Sequence, residues 1–146
     1  MSLHPTLQIG AVFPQTEMAG DLAAVRAIGD VCETAGFDHL VAYDHVLGAD
    51  HADRDPELWG PYDEHDTFHD PFTLFAYLAG RTEHLGFATG ILVLPQRQTA
   101  LVARQAADVA ILSEGRYRCH DQTRINFFQS LIAQVQSRKI AWGKAL

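Results

Sequence analysis

Apolar residues follow two alternating spacings along the first 118 residues of the chain. Runs of consecutive apolar residues are typical of buried strands, and apolar residues three or four positions apart are typical of helices that pack on one side. The pattern predicts, in chain order, strand 7–13, helix 22–35, strand 38–43, a helix from 71, strand 85–94 with an interruption at Gly90, a helix from 99 and a fourth strand from 116. Strict alternation requires a parallel sheet with right-handed crossovers, so the fold class is α/β.

The helices carry recognisable signals at their ends and on their buried sides. Asp21 and Asp70 are good N-caps, and Pro71 suits the first helical position. Gly36 and Gly115 end the first and third helices. The residues expected to face the core are Leu22, Val25, Ile28, Cys32 and Ala35, then Phe72, Phe75, Leu78 and Ala79, then Val102, Ala106, Val109 and Leu112.

Two architectures fit this alternation, a doubly wound sheet and a (β/α)8 barrel. The first strand is not followed by a Gly-x-Gly-x-x-Gly segment. Its absence counts against a sheet of the dinucleotide-binding type.

The second strand runs directly into an acid and an imidazole, Asp44 and His45, and a polar loop follows to residue 68. Ligands of α/β proteins gather at the carboxyl ends of strands. Imidazole changes charge near neutral pH and can move a proton, while a carboxylate can hold a polar cofactor. By residue type alone, an alternative stays open in which Asp44 caps the loop and His45 is merely solvated.

The loop also suggests two further kinds of site. Its many Asp and His side chains are residues that borderline metals bind, but their spacing matches no compact motif, and a solvated acidic loop is the preferred interpretation. Trp59 and Tyr62 either line a substrate mouth or anchor the loop. Beyond the loop, Arg97 and Arg104 are candidates for phosphate or an acidic partner, although an ion pair on the helix surface is the simpler explanation for Arg104.

Composition narrows the classes of partner. The net charge of −7 disfavours nucleic acid and anionic membrane. An apolar content of 47% fits a soluble globular protein, and the sequence shows neither a membrane-spanning run nor a signal peptide, so a cytoplasmic location is expected. Two cysteines are too few for a disulfide framework.

The last part of the chain, 119–146, differs in composition from residues 1–118. Both lysines lie in it, together with only one of the acidic residues. Its apolar residues recur at helical spacing and predict an amphipathic helix: Ile125, Phe128, Leu131, Ile132 and Val135. This tail either covers an exposed sheet edge or partner surface, or is a frameshifted or fused segment that happens to be helical.

Residues 7–118 resemble the N-terminal part of the bacterial luciferase-like monooxygenase superfamily, and most of all its members that use coenzyme F-420, an 8-hydroxy-5-deazaflavin. The resemblance rests on several stretches in one order: residues 7–13, 35–40, 44–45, 88–95, 103–107 and 113–116. It implies a partial (β/α)8 TIM barrel of about three to four βα units, followed by the C-terminal helix. Family members continue into a glycine-rich segment that helps bind the cofactor phosphate, whereas this chain has Cys119-His120-Asp121-Gln122.

The resemblance also implies a chemistry and a set of site residues. The expected activity is hydride transfer through coenzyme F-420, or through FMN with oxygen activation, on a small organic substrate. Asp44 would contact the polar edge of the reactive ring, and His45 would donate or accept a proton beside it or shield an intermediate. Thr89, Gly90 and Ile91 would support the ring through a non-proline cis peptide at Gly90–Ile91, for which an ordinary β-bulge is the alternative.

A second hypothesis belongs to a different class of protein. A partial barrel leaves sheet edges and apolar surface exposed, which favours association between chains. The chain would then be a non-catalytic half-barrel that forms homo-oligomers, most simply a dimer, and turns over no cofactor.

Overall fold

The structure, a computed structural model, describes residues 7–18 and 20–119. The strands are β1 (Gly10–Val12), β2 (His39–Ala42), β3 (Gly86–Thr89) and β4 (Tyr117–Arg118), and the helices are α1 (Leu22–Ala35), α2 (Pro71–Ala79) and α3 (Thr99–Leu112). A short 3-10 helix, Leu94–Gln96, lies between β3 and α3. The helix predicted in the tail lies outside the described residues.

The four strands form one parallel sheet in the order β1-β2-β3-β4. A doubly wound sheet reverses its strand order at the switch point, whereas a barrel keeps chain order around its circumference. Consecutive helices also lie side by side, since Gly29 of α1 approaches Leu78 of α2 so closely that an added methyl group would lie 2.8 Å from the leucine side chain. The strand order and the helix layer confirm the partial barrel.

The core lies between the helices and one side of the sheet. Leu40, Phe87 and Tyr117 occupy equivalent positions on neighbouring strands, and all three are buried. Phe75 of α2 packs on this side, with ring centroids 5.3 Å from Phe87 and 5.9 Å from Tyr117. Burial raises the pKa of Tyr117 well above its usual value, so its phenol stays neutral.

The opposite side of the sheet corresponds to the inside of a barrel, and we call it the concave side. His39 packs over Gly10, where a Cβ atom would overlap the imidazole ring. Arg118 Nη1 donates a hydrogen bond of 2.7 Å to Gln8 Oε1, which joins β4 to the segment before β1 across this side. Val12 is 65% exposed here, so the concave side is open among the described residues.

The starts of α1 and α2 and the end of α1 agree with the caps expected from the sequence, whereas α3 ends at Leu112 with Ser113 as its cap, two residues before the expected Gly115. Asp21 Oδ1 accepts from the Ala23 N–H at 2.8 Å, Asp70 Oδ1 accepts from the Thr73 N–H at 2.9 Å, and Gly36 adopts a φ of 76°. These contacts satisfy backbone groups that a helix end leaves unpaired.

The strands are shorter than the sequence predicts. The expected strand 7–13 is reduced to the three residues of β1, although Ile9 and Phe13 on either side still make backbone hydrogen bonds to Asp38 and Val41. The Ile9 N–H donates to the Asp38 carboxylate at 2.7 Å. The strand expected over 85–94 with an interruption at Gly90 ends at Thr89, as the interruption predicts, but beyond it Leu92 forms a single β-bridge instead of a further stretch of strand.

The expected buried sides of the helices are correct near their middle turns and wrong at some ends. All four expected residues of α2 are buried, as are Val25, Cys32, Val102, Ala106 and Val109 of the other helices. Leu22, Ala35 and Leu112 are instead exposed. Each lies in the first or last turn of its helix, beyond the side chains that cover the middle turns.

A carboxylate from α1 holds the turn between α2 and β3. Glu33 accepts hydrogen bonds from the backbone N–H groups of Glu83, His84 and Leu85 at 3.0, 2.9 and 2.7 Å. Burial alone would raise the pKa of Glu33, but these three donors lower it below its usual value.

Arg116 holds the same turn from the other side. Its guanidinium donates to the carbonyl oxygens of Ala79, Thr82, Leu85 and Ser113, and to the Thr82 hydroxyl, at distances of 2.7–3.1 Å. One side chain therefore provides donors to carbonyl groups at the end of α2, in the turn before β3 and after α3.

We predict that Arg116→Met lowers the free energy of unfolding by about 3 kcal/mol, because several partly buried carbonyls lose a charged donor. Arg104→Met is the matched control. Arg104 pairs at 3.2 Å with Asp108 on the exposed surface of α3, and its loss should change stability by less than about 1 kcal/mol. Urea denaturation measures both, and equal losses would contradict the role assigned to Arg116.

Candidate functional site

The candidate site lies where β2 and β3 end. Their carboxyl ends are neighbours because the two strands pair in parallel, with Ala42 opposite Thr89. The segment after β2 carries Tyr43, Asp44 and His45, and the segment after β3 carries Gly90 and Ile91. The loop predicted from the sequence, 44–68, begins at this edge and returns to α2.

Asp44 is engaged by other groups of the protein. Its side chain is only 1% exposed, and its oxygens accept from Arg97 Nε at 2.8 Å and Arg97 Nη2 at 2.5 Å. The Val93 N–H also donates to Asp44 Oδ2, at 3.0 Å. Asp44 therefore fixes the segment that follows β3, and any ligand would have to share oxygens that already have partners.

Arg97 extends this contact to α2. Its Nη2 atom also lies 2.9 Å from Asp70 Oδ2, while the other oxygen of Asp70 caps the helix. Hydrogen bonding to Asp44 raises the pKa of Arg97, so its guanidinium keeps its charge. The sequence suggested phosphate or an acidic partner for Arg97. The structure shows an acidic partner within the same chain. For Arg104 it confirms the surface ion pair.

His45 belongs to a group of four rings, which we call the aromatic cluster: Tyr43, His45, Tyr62 and Phe68. The His45 ring centroid lies 5.1 Å from Phe68 and 5.8 Å from Tyr62, in both cases edge to face. Tyr43 stacks on Tyr62 at 5.8 Å. Tyr62 thus anchors the loop on the end of β2, whereas Trp59 is 86% exposed.

Gln15 was not identified from the sequence, yet it connects three parts of the site. Its Nε2 donates to the carbonyl oxygens of Tyr43 and His69 at 2.8 and 3.1 Å, and its Oε1 accepts from the His69 N–H at 3.0 Å. Gln15 is 1% exposed, and it joins the segment after β1 to both ends of the loop. The signal that the sequence offered for Gln15 was its position just after a predicted strand. Arg97 lies in the equivalent region after β3.

The last residue of β3 and the residue that follows it face opposite sides of the sheet. The peptide bond between Gly90 and Ile91 is cis, as expected from the resemblance, and the alternative of an ordinary β-bulge is wrong. Gly90 lies against Val41 on the concave side, where a Cβ atom would overlap the valine. The Thr89 side chain is 1% exposed and shares the helix side with Ala42, so only its backbone can reach the concave side.

The acidic loop does not gather a metal site in the described part of the chain. No three His, Cys, Asp or Glu side chains there are close enough to hold one ion. Asp63 accepts from the His65 N–H at 2.8 Å, and Asp66 accepts from the Asp63 N–H at 2.8 Å, so both carboxylates stabilise the loop's own turns.

A protein-family sequence model described as luciferase-like monooxygenase matches residues 6–120 of this chain. The match spans all four strands, the three helices and the candidate site. The chain therefore belongs to the luciferase-like monooxygenase family.

Solved structures show the same fold. The oxygenating constituent of 3,6-diketocamphane monooxygenase from Pseudomonas putida, in complex with FMN, is 18% identical, has a TM-score of 0.59, and is matched over 82% of this chain and 30% of its own. A riboflavin lyase with modified FMN and riboflavin is 27% identical, with a TM-score of 0.59 and coverage of 80% and 30%. The coenzyme F-420-dependent tetrahydromethanopterin reductase from Methanopyrus kandleri is 15% identical, with a TM-score of 0.56 and coverage of 79% and 26%.

The chain spans less than a third of the length of each of these three proteins. No curated protein sequence matches it. Within the described ranges, none of the helices combines the length and apolar character needed to cross a membrane.

We predict that Arg97→Met lowers the free energy of unfolding by about 3–4 kcal/mol, because it leaves the Asp44 carboxylate buried without its cation. Adding Asp44→Asn should recover part of that loss, since the unpaired charge is then removed. Urea denaturation of the two single variants and the double variant measures the coupling. If the loss of unfolding free energy in the double variant equals the sum of the losses in the two single variants, the two side chains do not act as a unit.

Proposed function

We propose that this chain forms part of a flavin- or deazaflavin-dependent oxidoreductase that acts on a small organic substrate. The observation that carries the proposal is the aromatic cluster at the end of β2, next to the end of β3 where Gly90 follows, at the carboxyl edge of a sheet with the family's topology. Ligands of barrel enzymes bind at this edge. Coenzyme F-420 is the first candidate cofactor and FMN the alternative, in keeping with the cofactors named for the similar structures.

The described residues fit the ring of such a cofactor better than its phosphate. Aromatic rings, and the exposed backbone at Gly90 beside Val41, offer flat, partly apolar surfaces. Arg97 already pairs with two carboxylates, and Arg54 of the loop donates to the Asp50 carbonyl at 2.7 Å. We therefore place the ring against the aromatic cluster and assign no described residue to the phosphate.

The residues have distinct roles in this proposal. The cofactor, when bound, supplies hydride transfer. His45 holds or moves a proton at its imidazole, since imidazole titrates near neutral pH. Gly90 and Ile91 support the ring from the concave side, with Thr89 contributing through its backbone. Contact between Asp44 and the ring stays a prediction, and the contacts shown assign Asp44 to positioning Arg97 and Val93. We propose a cytoplasmic location for the protein.

Fluorescence titration of the purified chain with coenzyme F-420, and separately with FMN, tests this function. We expect saturable binding of one cofactor with a Kd on the order of micromolar, and His45→Ala should weaken it at least about tenfold. His65→Ala is the matched control, because that side chain is exposed and outside the aromatic cluster. A folded chain that binds neither cofactor, or equal binding by both variants, would refute the proposal.

The open concave side favours a second candidate, the non-catalytic half-barrel that self-associates. Val12 and Ile9 are exposed on β1 or just before it, and in the described residues β1 and β4 each pair along one edge only. Unpaired edges and apolar surface promote association between chains.

If this second candidate is correct, light scattering will show a dimer or a larger homo-oligomer that binds no cofactor. Val12→Lys should shift it toward monomer, because a buried charge at the interface is costly. Leu101→Lys, at an exposed position of α3 on the helix layer, should leave the assembly unchanged. A monomer at all concentrations would exclude this candidate.

A further inference from the structure

Gln15 has no part in the proposed function, although its side chain contacts both ends of the loop that carries the aromatic cluster. We propose that Gln15 is a positioning residue, whose amide fixes the His45 imidazole against Phe68 and so controls binding of the cofactor ring. This inference rests on the proposed function, because it adds a residue that organises the same site.

The amide of Gln15 matches three backbone groups at the two ends of the loop. Its Nε2 donates to the carbonyl oxygens of Tyr43 at 2.8 Å and His69 at 3.1 Å, and its Oε1 accepts from the His69 N–H at 3.0 Å. These partners fix the orientation of the amide, since only its NH2 group can donate to both carbonyls. Because β2 ends at Ala42 and α2 begins at Pro71, the three groups lie outside the regular sheet and helix bonding.

The contacts of Gln15 lie directly beside the rings that surround His45. On one side of the loop Tyr43 stands two residues before His45, and on the other side His69 directly follows Phe68. The ring centroids of His45 and Phe68 are 5.1 Å apart. The two backbone points that Gln15 joins therefore set the separation and orientation of these rings.

Gln15 is itself held in place from the sheet. The Phe13 N–H donates to the Val41 carbonyl at 2.8 Å, and Pro14 restricts the backbone just before Gln15. Gln15 is 1% exposed, so its side chain has little room to change rotamer. The amide thus ties the loop to β1 and β2 before any ligand arrives, and a preorganised loop loses less conformational entropy on binding.

Arg97 joins the next residue on each side of the loop, with a different chemistry. It pairs with the carboxylates of Asp44 and Asp70, whereas Gln15 bonds only backbone groups. Removing the Gln15 amide therefore releases the loop without leaving a buried charge unpaired. This difference makes Gln15 the residue at which positioning of the rings can be tested separately from the ion pair.

Proton NMR of His45 tests the positioning directly. Neighbouring rings displace the His45 Cε1–H resonance, which is assigned by its absence from the spectrum of His45→Ala, away from that of the exposed His65. In Gln15→Met the His45 resonance should move about halfway or more towards that of His65. Arg116→Met, which is also destabilised but bonds the turn at the opposite end of β3, is the matched control and should leave the resonance unchanged.

Cofactor titration tests the consequence for binding. Gln15→Met should raise the Kd for coenzyme F-420 or FMN about tenfold, and Arg116→Met should change it less than about twofold. If circular dichroism shows that Gln15→Met does not fold, Gln15→Asn replaces it, because that side chain keeps the amide but is too short to reach both sides of the loop. An unchanged His45 resonance, or equal changes in Kd for the Gln15 and Arg116 variants, would overturn the inference.

The two proposals fail separately. If the chain binds neither cofactor, the proposed function is refuted, and the His45 resonance alone decides whether Gln15 positions the rings. If the chain binds a cofactor and the Gln15 variant matches the unmodified chain in resonance or in Kd, only the role of Gln15 is refuted.

Discussion

The site depends on one buried cation held between two carboxylates. Arg97 bonds Asp44 at the end of β2 and Asp70 at the start of α2, while itself following β3. A carboxylate buried as deeply as Asp44 is tolerated because this guanidinium meets it with two hydrogen bonds. The contact fixes three segments of the chain relative to one another, and the position of the loop follows from it.

The alternation of side chains along the strands decides which residues can face a ligand. Val41 lies on the concave side against Gly90, whereas Ala42 and Thr89 lie on the helix side. The residues that follow β2 then point into two different environments. Asp44 turns to the ionic contact with Arg97, and His45 turns to the rings of the loop. Adjacent residues in the sequence therefore have different environments and different roles.

Ion pairing and ring packing together set the chemical character of the surface where β2 and β3 end. Its strongest cation is used internally, so the surface that remains at the end of β2 is aromatic. Such a surface offers partly apolar ring faces and no free guanidinium from Arg97. This balance is the physical basis for assigning ring binding to the described residues and no phosphate contact to any of them.

The sequence alone determined the order and kind of the elements, the capping of α1 and α2, and the two residues at the end of β2. Those features are local, because caps, apolar periodicity and strand ends depend on neighbours in the chain. Only the tertiary structure decided that Asp44 pairs with Arg97, that Gln15 closes the loop, and that Thr89 faces the helices. These contacts join residues far apart in the chain, and the curvature and register of the sheet determine which of them meet.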